Sequence, residues 1–379
     1  MGLLDFFKKI EPDKQKSGFL HTLYDGFFTF LFVPNKRPKN ASHVHDHIDL
    51  KRTMIFVVYA LIPLYIFGMY NVGHQHYLAM GEMTGLTEGL GAKFLYGALK
   101  VLPIYVISMV VGLGIEFYFA YKKGHGIEEG YLVTGALIPL IMPASLPYWI
   151  LVLAIVFAVL IGKEAFGGTG MNVVNVALLA RVFVFFAYPT SISGDAVWVS
   201  GVDGFTGATP LAMASSGGWT EVISHYTPEQ MFWGVIPGSI GETSKPLIIL
   251  GALFLLLSRI ASWRIILGGI IGMSVMGLIF NAFGGSNAYM NVPWYDHFLM
   301  GSFLFAISFM ATDPVTAAST NRGKWIYGLL IGAIGLVIRV SNPAYPEGWM
   351  LAILLLNVFA PLIDYFVLQG NMKKRLKRA

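Results

Sequence analysis

The 379-residue chain contains no cysteine. That removes disulfides, thiolate-held iron–sulfur clusters and cysteine-ligated metals from anything this chain does by itself. Charge is scarce too: Asp, Glu, Lys and Arg make up 12% of the residues against 55% hydrophobic, at a mean hydropathy of +0.64. So little charge cannot cover a water-facing surface, which excludes a soluble globular domain and predicts a polytopic membrane protein. Alternating strands are missing as well. The apolar runs, such as Met54 to Met69 and Leu247 to Leu257, are continuous, which points away from an outer-membrane barrel and towards an all-α fold. No strand, glycine-rich turn and helix unit of a nucleotide-binding fold is legible. The N-terminal stretch lacks the pattern of a cleavable signal peptide, because Lys8, Lys9, Lys14 and Lys16 alternate with acids and short apolar patches. The net charge of +5 gathers at the two ends and in a few loops, which suits membrane topology better than nucleic-acid binding.

The most informative absence is local. From Val182 to Ser244 there is no Lys or Arg, while Asp195, Asp203, Glu221, Glu229 and Glu242 are present. By the positive-inside rule that segment faces outward. The basic clusters Lys36 to Arg52, Lys122-Lys123 and Lys373 to Arg378 then face the cytoplasm, with both termini. The resulting organisation is a cytoplasmic arm (1–53), a first membrane repeat (54–188), an outer-face segment (189–246), a second membrane repeat (247–368) and a basic cytoplasmic tail (369–379). About ten membrane elements are expected, several of them broken by proline or glycine. An internal repeat is also visible. Met142-Pro143, Trp149, a helix, Lys163 and a glycine-rich break parallel Asp313-Pro314, Trp325, a helix, Arg339 and the break from Asn342 to Gly348. In each copy the Trp precedes the basic residue by fourteen positions. Five elements per half make the two copies inverted repeats, as in many transporters.

What is present inside this apolar frame is a small set of polar groups. In Asp203-Gly204-Phe205-Thr206-Gly207-Ala208-Thr209-Pro210, small residues leave the Thr209 hydroxyl open. Thr-Pro is an N-cap and first-turn pair, so the hydroxyl caps a helix or receives a phosphate at its N-terminus. Asn172 and Asn175 follow the glycine-rich break at helical spacing, suited to interhelical hydrogen bonds or to a flat heterocycle. Ionisable residues within apolar runs are Glu116, Lys163, Glu164, Asp313, Arg339 and Asp364. A hard cation such as Na+ takes oxygen ligands, which singles out Glu116, Asp313 and Asp364. Lys163 and Arg339, at helix ends, either snorkel or pair with acids. On these features alone the chain reads as a helical membrane transporter or an energy-coupling subunit.

Four stretches carry a resemblance beyond class: Glu164 to Gly170, Ile236 to Glu242, Met310 to Pro314, and Arg339 with Asn342 to Gly348. Together with Ser42-His43-Val44 and Asp49 to Arg52, they make the whole chain similar to the NqrB/RnfD family, on the side of the membrane subunits of Na+-translocating NADH:quinone oxidoreductases. The resemblance implies FMN bound covalently by a phosphodiester to Thr209, with Asp203, Thr206, Gly207 and Ala208 as the recognition sequence of a separate flavin transferase. It implies non-covalent riboflavin near Asn172 and Asn175. Quinone is implied near Gly112 and Glu116, and a Na+ path involving Glu116, Asp313 and Asp364. Finally, it implies a six-subunit complex in the bacterial inner membrane, surrounded by lipid. Two alternatives remain open, an Rnf-type subunit coupling ferredoxin to NAD and a non-redox channel of the same architecture.

Overall fold

The computed structural model describes residues 3–12, 18–32, 50–123, 130–202, 207–285, 287–342 and 347–378. Among the described residues every regular element is helical. Two helices, α1 (Leu3–Ile10) and α2 (Gly18–Leu31), precede the membrane part. Five follow in a first half: α3 (Leu50–Ala79), α4 (Leu90–Lys123), α5 (Tyr131–Ile141), α6 (Tyr148–Gly162) and α7 (Val176–Ala187). Then come α8 (Pro210–His225) and α9 (Pro228–Trp233). The second half holds α10 (Lys245–Leu257), α11 (Trp263–Phe283), α12 (Phe303–Phe305), α13 (Asn321–Ser341) and α14 (Trp349–Leu376). Six of these, α3, α4, α6, α11, α13 and α14, are long and apolar enough to cross a membrane, while α5, α7 and α10 are apolar but shorter. The protein is therefore an all-helical, polytopic membrane protein.

Two kinds of surface hold the helices in place. On α4, Leu95, Leu99, Leu102, Val106 and Val110 recur at three- and four-residue spacing and are exposed, an apolar stripe that water would not tolerate. Where helices meet, glycine replaces bulk. A Cβ on Gly272 would collide with the backbone of Leu329, and one on Gly332 with the backbone of Gly269, so α11 and α13 approach backbone to backbone. Gly73 and Gly97 play the same part between α3 and α4, against the backbones of Lys93 and Met69. Small residues at such crossings are the usual route to tight packing in lipid, where no hydrophobic effect drives helices together.

The broken elements place the site. The 11 residues of α5 reach about 16 Å, roughly half of a ~30 Å hydrocarbon core. Met142 leaves the helix in extended conformation, with Pro143 and Pro147 forbidding its continuation. The apolar run from His297 to Ala311, within the second repeat, is not one helix. It forms a 3-10 turn at Asp296–Phe298, a reversal at Gly301 (φ 64°), α12, and a π-helical turn at Ala306–Met310 closed by Ala311 N–H donating to Ala306 O (2.8 Å). The glycine at positive φ is what hydropathy could not reveal. In both halves a half-helix, a proline-containing loop, an apolar helix, a break and a further helix follow in the same order.

Candidate functional site

Thr209 begins α8 as its N-cap, its Oγ1 accepting from Ala212 N–H at 3.2 Å with Pro210 in the first turn. The helix runs to His225, although Gly218 (φ 72°, ψ −161°) kinks it. The backbone just before Thr209 is pinned from two sides. Gly207 N–H donates to Asp195 O (3.2 Å) and the Tyr226 hydroxyl donates to Ala208 O (3.0 Å). Burial, reinforced by the Asp195 carboxylate, pushes the Tyr226 phenol up to about 12, so it stays a donor at any working pH. Upstream, Ser200 O meets both His76 Nδ1 (2.9 Å) and the Tyr96 hydroxyl (3.0 Å), whose rings stack at 3.8 Å. Asp203 and Thr206 lie outside the described residues.

Thr209 lines a cavity of about 190 Å³ with Arg181, Glu242, Thr243, Lys245, Gly301 and Glu347 among its walls. For scale, a dry cavity of ~150 Å³ accepts a benzene ring. Arg181 forms an ion pair with Glu347 and donates to Ile141 O, closing the carbonyl end of α5. Lys245 is 1% exposed and donates to Glu242 O and Gly301 O, both at 2.8 Å. Arg339, fully buried, donates to His297 O (3.1 Å) and Met300 O (3.2 Å), with its guanidinium over the Trp349 ring. Among the described residues it neither snorkels nor forms a close ion pair with an acid; it ties the 296–301 reversal to α13. Two buried oxygens in the cavity wall, Glu242 Oε2 and Thr243 Oγ1, have no partner among the described residues. Buried polar atoms without partners are costly, which marks this wall as more polar than packing alone requires. A cofactor rich in hydrogen-bonding groups, linked through phosphate to Thr209, fits this chemistry.

The second cavity, about 70 Å³, is lined by Lys163, Thr169, Asn172, Asn175, Thr312 and Asp313. Both asparagines reach it, though not on a shared helix face. Asn175 is the N-cap of α7, its Oδ1 accepting from Ala177 N–H (3.0 Å) and Leu178 N–H (3.2 Å), while its Nδ2 reaches Met310 O at 3.5 Å. Asn172 sits in the preceding turn and donates to Val174 O (3.2 Å). Their spacing reads as helical, but the Asn175 side chain competes for the backbone and starts the helix at Val176 instead. Asp313 forms a local turn, accepting from Val315 N–H (3.2 Å) and the Thr316 hydroxyl (2.9 Å). Among the described residues no group of three His, Cys, Asp or Glu is arranged to hold a metal ion.

Glu116 lies one layer behind this cavity, in a buried ion pair with Lys163 and accepting from Thr169 Oγ1 at 3.0 Å. Gly112 stands one turn away. Any Cβ there would strike the Tyr131 ring, which donates its hydroxyl to Ser108 O (3.0 Å) and lies 5.9 Å from Lys163 Nζ. Gly112 and Glu116 thus join one buried group through Tyr131 and Lys163. Asp364 is elsewhere, at the N-terminus of α13, accepting from Ser319 N–H (2.6 Å) and Thr320 N–H (3.0 Å). The two cavities sit at opposite ends of the half-helices. Gly130, Val133 and Thr134 of the α5 end line the Asn175 cavity, and Ile141 faces Arg181 of the Thr209 cavity. The α12 segment runs the other way, from Gly301 in the Thr209 cavity to Asp313 in the Asn175 cavity. Arg181 and Lys245 escaped the sequence reading, though an Arg in the middle of the apolar run from Val176 to Ala187 was the available signal.

Comparison with known proteins gives the arrangement its context. The family model described as "NQR2, RnfD, RnfE family" matches residues 38–373. Chains named as the B-subunit of a Na(+)-translocating NADH-quinone reductase are similar along the full length. The one from Chromohalobacter salexigens is 46% identical, covering 100% of this chain and 97% of its own. Those from Pseudomonas aeruginosa strain PAO1 (46%) and Yersinia pestis (45%) are covered completely, as is this chain. With the family model matched over residues 38–373 and relatives 45–46% identical along the full length, the chain belongs to the NQR2, RnfD, RnfE family.

Proposed function

We propose that this chain is the membrane subunit of a sodium-pumping NADH:quinone oxidoreductase, carrying electrons from FMN on Thr209 through riboflavin to quinone. The observation that carries the reading is Thr209 itself. It is an N-cap whose hydroxyl begins a helix and borders a cavity walled by the buried Arg181 and Lys245 side chains. A phosphodiester there gains the positive end of α8, and Tyr226 with Asp195 holds the preceding backbone in reach of a flavin transferase. Bound flavin supplies the electron chemistry; the protein supplies position, charge and exclusion of water. Arg181, Glu242, Thr243 and Lys245 wall the FMN side. Asn172, Asn175 and Thr312 provide neutral hydrogen-bonding groups for riboflavin beside Asp313.

For Na+, Asp313 with Thr312, Asn172 and Asn175 gives the second cavity the oxygen groups that a hard cation takes on leaving water. Asp364 lies beyond it at the start of α13, and Glu116 in the layer behind Lys163. Quinone binds near Gly112 and Glu116 in this reading, beside the Tyr131 ring and the buried Glu116–Lys163 pair. The opposite running of α5 and α12 between the cavities supports ten membrane elements in two inverted repeats. The basic clusters support cytoplasmic termini in a bacterial inner membrane, with Thr209 on the outer side. The electron donor comes from partner subunits of a six-subunit complex.

The test is turnover of the purified complex with defined donors. NADH with a quinone should support Na+-stimulated turnover. Activity with reduced ferredoxin and NAD but none with NADH and quinone would assign the chain to the other branch of its family.

A further inference from the structure

The sequence repeat pairs Trp149 with Trp325 and Lys163 with Arg339, each 176 positions apart, and Arg181 and Asn357 stand at the same separation. Each interrupts an apolar helix: VALLARVFVFFA around Arg181 in α7, WMLAILLLNVFA around Asn357 in α14. The two helices pack against each other, and each of these residues reaches the break that precedes the other helix. Arg181 pairs with Glu347, just before α14, at the Thr209 cavity. Asn357, buried at 1% exposure, answers at the Asn175 cavity. Its amide nitrogen donates to the Tyr327 hydroxyl (2.6 Å) and Ile353 O (3.2 Å), while its oxygen accepts from the backbone N–H of Asn175 (3.0 Å), the residue just before α7. The reverse amide orientation keeps only the Tyr327 bond, so the network sets the orientation. Such reciprocal ties are what a pseudo-two-fold axis between inverted repeats imposes on residues beside it.

What Asn357 holds is the cap that shapes the cavity wall. Asn175 Oδ1 is committed to Ala177 N–H and Leu178 N–H, and its Nδ2 reaches Met310 O of the π-helical turn. With its backbone N–H taken by Asn357, Asn175 is tied to α7, to the π-helical turn and to α14 at once. Asn172, in the same turn, donates to Val174 O and lines the same cavity. We infer that Asn357, its amide oriented by Tyr327, is a positioning residue for the ligand of the Asn175 cavity, the counterpart of Arg181 at the Thr209 cavity. The inference rests on the riboflavin reading of that cavity given above. Asn357 bonds to the cavity wall and acts through Asn175, with no contact to the ligand of its own. As an amide it ties the two repeats without adding a charge beside Asp313.

The experiment is equilibrium dialysis of the whole complex against riboflavin, for wild type, Asn357→Leu, Asn175→Ala and the double variant. Flavin fluorescence after denaturing electrophoresis counts the covalent flavin separately and reports assembly. Asn357→Leu, which keeps the bulk and removes the bonds, should weaken riboflavin binding roughly tenfold with the covalent flavin unchanged. Because Asn357 acts through Asn175, the double variant should bind riboflavin no more weakly than Asn175→Ala alone. Should Asn357→Leu fail to assemble, Tyr327→Phe decides the point: it takes away one acceptor of the amide and spares the other two bonds. It should weaken binding by a smaller factor, and that effect too should vanish in the Asn175→Ala background. Wild-type affinity in Asn357→Leu, or in Tyr327→Phe where that variant decides, would overturn the inference. So would a loss that adds in full to that of Asn175→Ala, which marks a packing role for α14. A wild-type complex that carries covalent flavin and takes up no riboflavin would instead remove the reading on which it rests.

Discussion

Glu116 is held by Lys163 and Thr169, and that pairing governs what its substitution can mean. Both side chains are almost wholly buried, so removing one charge strands the other. Glu116→Gln should destabilise the subunit by about 3–5 kcal/mol, while the double change with Lys163→Met should recover most of that loss. Thermal unfolding of the four-member cycle in detergent measures it. Loss of Na+ stimulation in the stable double variant would then report transport and not folding. At Tyr226 the sign of the pH dependence follows from its raised phenol. The folded state holds the proton more tightly than the unfolded chain, so its stabilisation is complete below 10.0 and lost only as pH climbs towards about 12. Flavin attachment should therefore show no Tyr226-dependent change between pH 6 and 9. Tyr226→Phe, which forfeits a bond worth about 1 kcal/mol, should slow attachment at every pH in that range. A wild-type attachment rate in Tyr226→Phe would show that the loop needs no such anchor.

The elements divide into those that composition foretells and those that geometry decides. Long apolar helices such as α4 and α13 follow from hydropathy, because apolar residues dominate them over a membrane thickness even with Glu116 and Arg339 inside. The half-helices were legible at Pro143 and Asp313-Pro314, since proline removes a donor and blocks the next turn, whereas Pro139 sits inside α5 without ending it. The 296–310 region was not, because its break depends on the backbone conformation of Gly301 and on a π-helical turn, neither of which alters hydropathy. Similarly, Asn175 as a cap and not a helix-face residue is a contest between side chain and backbone that spacing alone does not settle. Among the long helices, α11 and α13 rely on Gly272 and Gly332 for their backbone contact. Gly332→Leu should cost on the order of 1–3 kcal/mol through overpacking. A thermal midpoint equal to wild type would mean that this crossing is looser than the geometry indicates.

At the scale of the molecule, two cavities are joined by half-helices running in opposite senses, with flavin chemistry proposed for both and a carboxylate, Asp313, lining one. An outward placement of the 182–244 segment is what its lack of Lys and Arg predicts; the class of protein was legible from scarce charge and continuous apolar runs. The Thr209 cavity was not, since Arg181, Lys245 and Glu347 come together only when sequence-distant breaks meet. Coupling between electron flow and Na+ belongs to this scale as well. Asp313→Asn with Asp364→Asn should abolish Na+ stimulation of quinone reduction while leaving flavin attachment intact; stimulation equal to wild type would remove both from the path. Everything else depends on the covalent flavin, and its most direct measurement is flavin fluorescence after denaturing electrophoresis of the chain expressed with its transferase. A fluorescent band that disappears in Thr209→Ala is expected, with the flavin mass on the Thr209 peptide. A dark wild-type band with an unmodified Thr209 peptide would contradict it.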